Sequence, residues 1–430
     1  MRALAFFTAT LLGLSALVTG CTQQPGAKKT AANVTRVDAG HDAQKRAQTA
    51  LINAKPGAVI EFGEGKFDFD ATLSLEDVSD VTIRGQGPDK TILSFANQQQ
   101  GTGGEGLRVK CPENIAIEDL AVEDAKGDAV KVQDTKKIAF RRVRTEWTGG
   151  AKETNGAYGV YPVLCSDVLI EDCVAIGASD AGIYVGQSEN IIVRRNRVEK
   201  NVAGIEIENS VNADVYENTA TDNTGGILVF SLPDLPKKDG RSCRVFNNTV
   251  VSNNHDNFAP KGNIVATVPP GTGMMIMAND QVELFDNKVE TNKSTGLLIV
   301  SYLINQKPIK DDKYDPYCES IYIHDNKFAN NGDSPAGDLG GILGKILGTP
   351  FPDIMYDGIR DEKKLVDGEL PEAKRIRISN NGDAKFVNFD GGALNAAAVF
   401  ANKKPNIDRE LKSYEGALSA LSPVSIAGVK

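Results

Sequence analysis

Glu206 and Glu208 stand two residues apart in Gly204-Ile-Glu-Ile-Glu, a spacing that puts both carboxyl groups on one face of an extended strand. Same-face neighbours on a strand lie about 7 Å apart, near the separation at which two carboxyl groups flank a glycosidic bond. One acting as acid and the other as base is the chemistry of polysaccharide hydrolysis or elimination. The plain alternative is a pair of solvated glutamates, or a binding role. Tyr161 and Tyr184 occupy the same column of the repeat described below, where their rings stack on sugars or on each other. With Tyr184 on one side and Leu228 on the other, Glu206 is expected to have a raised pKa and to keep a proton near neutrality. His255 and Lys261 lie in the insertion Asn253-Asn-His-Asp-Asn-Phe-Ala-Pro-Lys-Gly, and histidine titrates in the range that proton transfer needs. His324 is read as a surface residue, and Trp147 as the anchor of its loop.

These side chains are positioned by a repeat. Glycines followed by apolar strands recur at Gly159, Gly182, Gly204, Gly226, Gly273 and Gly296, the first four at steps of 23, 22 and 22 residues. A second anchor runs in step: Asn196, Asn218, Asn248, Asn287 and Asn326 each follow an apolar residue by three, and the Gly-to-Asn distance is 14 in the Gly182, Gly204 and Gly273 coils. A period of this size marks a stacked-coil architecture. Two strands and two corners per coil predict an all-β, right-handed parallel β-helix, its coils burying a continuous core against their neighbours. The glycines are expected at corners of positive φ, and the asparagines in an amide ladder within a bend.

The repeat is interrupted at Arg144–Tyr158, Ser231–Arg241, Thr249–Thr272 and Ser301–Tyr317. These insertions bracket the Gly-headed strand, so its outward face is predicted to floor a groove with the loops as walls. The floor reads Tyr161, Tyr184, Glu206, Leu228, Met275, Leu298 in one column and Val163, Gly186, Glu208, Phe230, Met277, Val300 in the next. Its apolar half is too hydrophobic to stay wet, and the 249–272 loop, the C-terminal segment or a partner protein is expected to cover it.

The ends complete the plan. Met1 to Gly20 reads as a signal peptide, and Leu17-Val18-Thr19-Gly20-Cys21 as a lipidation site at Cys21. Residues 21–40 form a tether and 41–331 the β-helix, opened by a capping helix over His41–Ala54. Residues 332–430 form a last turn and a cap. The chain carries a net charge of −9, or −10 without the first 20 residues, which argues against nucleic acid as a partner. Five further cysteines (Cys111, Cys165, Cys173, Cys243 and Cys318) are read as buried wall fillers. Zinc spacing is absent, and no metal or cofactor is expected.

With these elements in place, the chain resembles the bacterial parallel β-helix repeat lipoproteins of the pectin-lyase-like superfamily. The likeness rests on Asp180-Ala-Gly-Ile-Tyr-Val-Gly-Gln-Ser, Val202-Ala-Gly-Ile-Glu-Ile-Glu-Asn-Ser, Gly225-Gly-Ile-Leu-Val-Phe, Asn257-Phe-Ala-Pro-Lys-Gly and Pro269-Pro-Gly-Thr-Gly. From these stretches Asp180, Gln187 and Asn209 join Tyr161, Tyr184, His255 and Lys261 as expected ligand-binding residues. The resemblance implies an envelope protein anchored through Cys21, outer membrane rather than inner, with no assigned activity. It also implies a secreted dihaem c-type cytochrome-like protein as partner. The Asn-Thr-Asp, Asp-Asp, Gly-His-Gly and Arg-Ile-Lys elements of polygalacturonases are not in place, and Asn254-His-Asp-Asn is not the Asp-Pro-His-Asp of mannuronan epimerases. Two acids and no arginine on the floor repel a polyanion. The expected function is glycan or protein binding in the groove, with a hydrolase or lyase using Glu206 and Glu208 as the second reading.

Overall fold

Inward-facing Ile205, Ile207, Val198 and Val215 show how one coil is built: each contributes its side chain to a core that runs the length of the stack. The computed structural model describes residues 33–99, 104–394 and 404–428; the signal peptide, Cys21, most of the tether and Asn395–Phe400 lie outside them. The strands form two parallel sheets of 20 and 11 strands, a parallel β-helix as the repeat predicts.

Each central coil holds three strands rather than two. Ala203–Glu208 is followed by Val211–Tyr216 and then by the short Thr219–Thr221. Three residues are too few to show an alternating pattern, which is why the sequence hides this strand. Asparagine bends set it off at both ends. Asn196, Asn218, Asn248, Asn287, Asn326 and Asn381 form the expected ladder, each Nδ2 donating to the next Oδ1 at 2.9–3.0 Å. A second ladder, five residues on, joins Asn201, Asn223, Asn253, Asn292 and Asn331 at 2.9–3.2 Å.

The repeated glycines do a different job from the one expected. Positive φ falls on the residues before the ladder asparagines, such as Arg195, Glu217, Lys200 and Asp222. The glycines are needed for close approach: a Cβ on Gly204 would meet the Gly226 carbonyl oxygen at 2.5 Å, and one on Gly226 the Gly273 oxygen at 2.5 Å.

At the N-terminal end Ala43–Ile52 is the capping helix, with Ala43, Ala47, Ala50 and Leu51 buried. Asn33–Val37, assigned to the tether by sequence, instead pairs with Ala58–Phe62 as the first strand. The solenoid also continues past residue 331, through Ile354–Tyr356, Ile376–Ser379 and Phe386–Asn388. The chain then turns back as a strap along the outside of the larger sheet. The Leu421 N–H donates to Glu283 at 2.9 Å and that of Val424 to Asp214 at 3.1 Å, while Ile426 packs on Leu169 and Ile192. Cys165, Cys173, Cys243 and Cys318 are buried wall residues as expected, but Cys111 is exposed. Among the described residues no helix is long and apolar enough to cross a membrane.

Candidate active site under a lid

The register confirms the two columns on the outward face of the smaller sheet. Tyr184 pairs with Glu206, Glu206 with Leu228, Leu228 with Met275 and Met275 with Leu298; Gly186, Glu208, Phe230, Met277 and Val300 run alongside. The face is not an open groove. Glu206 is 1% exposed, Glu208 6% and Leu228 0%, because the insertions close over it instead of standing as walls. Phe258, Ile264, Val265 and Val268 of the 249–272 insertion, Tyr302 and Tyr314 of the 301–317 insertion, Leu343 and Phe351 form a second apolar core with the column residues. The energetic reason is the one that made the floor too apolar to stay wet: stacked Leu, Met, Phe and Val side chains demand cover.

Where the columns turn polar, the lid covers carboxyl groups. Asn263, in the lid, donates to Asp180 Oδ2 at 3.1 Å. Tyr184 donates its phenol proton to Glu208 Oε1 at 2.6 Å. Glu206 and Glu208, two residues apart on one face of the strand, are close enough to shift each other's carboxyl group. Glu206 Oε2 has no hydrogen-bond partner. The expected direction for Glu206 holds: burial first, then Asp180 and Glu208, push its carboxyl well above the ordinary range. Burial also raises Glu208, opposed by the hydrogen bond from Tyr184 and by Glu206. Asp180 is pushed up to about 7 by burial and by Glu208.

The mouth of this cluster uses residues that the sequence reading passed over. Tyr158 completes a trio with Tyr161 and Tyr184, ring centroids 4.4, 4.5 and 5.0 Å apart. Lys131 pairs with Tyr161 in the register, its Nζ 4.9 Å from that ring's centroid and 3.5 Å from Asp128 Oδ2. Asp128 is pushed up to about 6, chiefly by burial, with Lys131 opposing. A signal for both existed: Asp128-Ala-Val-Lys131 precedes its strand as Asp180-Ala-Gly-Ile does, and Lys131 is the next rung of the Tyr161 column. Asn263 carried no such signal, since the lid's path is set by packing.

The structure therefore gathers Tyr161, Asp180, Tyr184, Glu206 and Glu208 from the expected set and leaves others elsewhere. Asn209 is a loop anchor: its amide accepts from Leu232 N at 2.7 Å and donates to the Leu232 and Lys237 carbonyls at 2.8 and 3.0 Å. His255 faces Phe258, with Nδ1 2.9 Å from the Asp256 carbonyl. Lys261 is exposed on the lid. Gln187 is buried beside the site, its Oε1 without a partner. Trp147 anchors its loop as expected, donating to the Ala125 carbonyl at 2.7 Å. His324 is less open than predicted, stacked on Phe285 with centroids 5.2 Å apart.

Three acids elsewhere, Asp280, Asp315 and Glu319, come close enough to share a cation. Lys364 occupies that place, 2.6 Å from Asp315 and 2.7 Å from Glu319.

Residues 73–235 match the family model described as right handed beta helix region. A search among curated proteins finds no match. Among solved structures, the mannuronan C-5 epimerase AlgE4 A-module of Azotobacter vinelandii aligns with 14% identity over 69% of this chain and 87% of its own, with a TM-score of 0.47. The hyperthermoactive exopolygalacturonase of Thermotoga maritima gives 12% identity over 70% and 87%, TM-score 0.46. Endopolygalacturonase I of Stereum purpureum gives 13% over 69% and 96%, TM-score 0.44. The fold is a right-handed parallel β-helix. The parallel β-helix expected from the repeat stands at the level of fold, and likeness at this level assigns no activity.

Proposed function

We propose that this chain is an envelope β-helix protein, tethered through Cys21, that takes a glycan at the lidded carboxyl and phenol cluster. One observation carries the reading. Asp128, Asp180, Glu206 and Glu208 meet in one largely buried cluster, with Lys131 paired to Asp128 at its rim. Burying an ionised carboxylate costs several kcal/mol, so the deeper members hold protons near neutrality. A set of protonated and ionised carboxyls with three phenols offers both donors and acceptors to sugar hydroxyls, and the tyrosine rings offer flat apolar faces. Carboxyl groups perturbed by burial and by one another, gathered in one place, are the arrangement that functional sites use, and this supports the reading.

Acid–base processing of the bound polysaccharide is the second reading, favoured by Asp180 at about 7, where a group both gives and accepts a proton. A secreted dihaem cytochrome-like partner is carried by the sequence resemblance alone. The test is to titrate the purified protein with neutral and weakly charged oligosaccharides while following tyrosine absorbance, then assay reducing ends and unsaturated products. Saturable binding supports the site. New products that vanish in Glu206→Gln, with the fold intact, promote the second reading. A folded protein that binds no glycan overturns both.

A further inference from the structure

The cluster is unusual in what it lacks. Among the described residues no lysine or arginine forms an ion pair with Asp180, Glu206 or Glu208, whereas the outward row of the larger sheet pairs its acids systematically, as in Glu118 with Arg141 and Glu171 with Arg194. The Glu206 carboxyl faces Asp180 and Glu208, and its Oε2 is unpartnered in a residue only 1% exposed. At the mouth the protein already shows what this surface holds. The Lys131 ammonium sits over the Tyr161 ring at 4.9 Å and 3.5 Å from Asp128, the geometry of a cation held between a π face and a carboxylate. Tyr158 and Tyr184 extend that aromatic surface inward, towards Asp180 and Glu208.

A ligand that satisfies these groups brings hydrogen-bond donors and positive charge. A uronate brings the wrong charge, and a neutral or N-acetylated sugar brings no charge to pair with the Asp128 and Asp180 carboxyls, the two members that ionise near neutrality. We propose that the glycan taken by this site is an amino sugar with a free, protonated amine, its ammonium set between the Tyr158–Tyr161–Tyr184 rings and the Asp128 and Asp180 carboxyl groups. This rests on the glycan reading above and names the class of glycan. The ammonium donates charge-assisted hydrogen bonds to the carboxylates and gains from the ring faces.

The experiment is calorimetric titration of the purified full chain, in 150 mM salt, with a fully deacetylated glucosamine tetramer and with its N-acetylated counterpart. The deacetylated tetramer is expected to bind at least tenfold more tightly. The double variant Asp128→Asn/Asp180→Asn is expected to erase the difference. Glu153→Gln, an exposed acid, is expected to leave it intact, which separates the site from general attraction to an acidic protein. Lys131→Met removes the resident ammonium and is expected to tighten the amino sugar, a gain that damage to the fold does not produce. Equal binding of the two tetramers, or tighter binding of the acetylated one, overturns the amine assignment and leaves the glycan reading standing. An intact Glu153 variant that loses the preference as fully as the double variant overturns the assignment too. No binding of either tetramer or of any glycan overturns both.

Discussion

Asp180→Asn isolates the electrostatic cost of the buried cluster. Burial and Glu208 raise the Asp180 carboxyl from 3.8 to about 7. Between those values the folded protein holds a proton that the unfolded chain has released, so stability falls as pH rises through the window and levels off above about 7. Each factor of ten costs about 1.4 kcal/mol. The displacement is therefore worth about 4 kcal/mol in all, of which about 3 kcal/mol is lost between pH 5 and pH 8. Asparagine has the same shape, keeps an oxygen for the Asn263 amide and does not titrate. Urea unfolding of both proteins at pH 5 and pH 8 gives the comparison. Relative to wild type, the variant is expected to gain about 3 kcal/mol on going from the lower pH to the higher. A residual slope of the same sign remains from Glu206 and Glu208, whose carboxyls are raised by the same burial. Parallel pH profiles for the two proteins would show that Asp180 is ionised throughout, and would refute the account of a protonated cluster.

Three further outcomes follow from the geometry. Asn248→Ala removes two donated bonds, to the Val215 carbonyl and Asn287 Oδ1, and the acceptor for two groups of Asn218. A loss of about 3–5 kcal/mol is expected in urea unfolding, since buried partners are left unsatisfied; a loss under about 1 kcal/mol contradicts the ladder's role. Among the five described cysteines only Cys111 should react with a thiol reagent in the native protein, because burial pushes Cys165 and Cys173 up to about 12 and encloses Cys243 and Cys318. Mass spectrometry of the labelled protein reads this directly, and prompt labelling of Cys173 contradicts it. Ile426→Asp puts a charge against Leu169 and Ile192 and is expected to lift the C-terminal strap, making residues 415–428 a site of rapid limited proteolysis while the coils resist; an uncut strap contradicts its docking through Ile426.

The β-helix was legible because it is periodic. Glycine and asparagine recur at fixed spacing, and alternation put Ile205 and Ile207 inward and the glutamates outward. The third strand was lost for want of length, and the second asparagine ladder went with it, although its rungs repeat the spacing of the first: Asn201 follows Val198 by three and Asn292 follows Val289 by three. The site was half legible. Tyr161, Tyr184, Glu206 and Glu208 follow from column arithmetic, whereas Asn263 reaches Asp180 from 83 residues away along a loop that has no repeat to follow. The same non-periodic packing turned the expected groove into a covered site. Val265 and Val268 are buried against Leu228, a contact that depends on the lid's fold and not on its spacing.

The most direct test of the central claim is hydrogen exchange of the purified protein with and without the oligosaccharide that binds it most tightly. A glycan held at the cluster is expected to change protection in the lid, residues 254–271, and around Tyr158–Val163, while the far sheet stays as it was. Protection changes confined to the strap or to the exposed face of the larger sheet would place the ligand elsewhere and contradict the account.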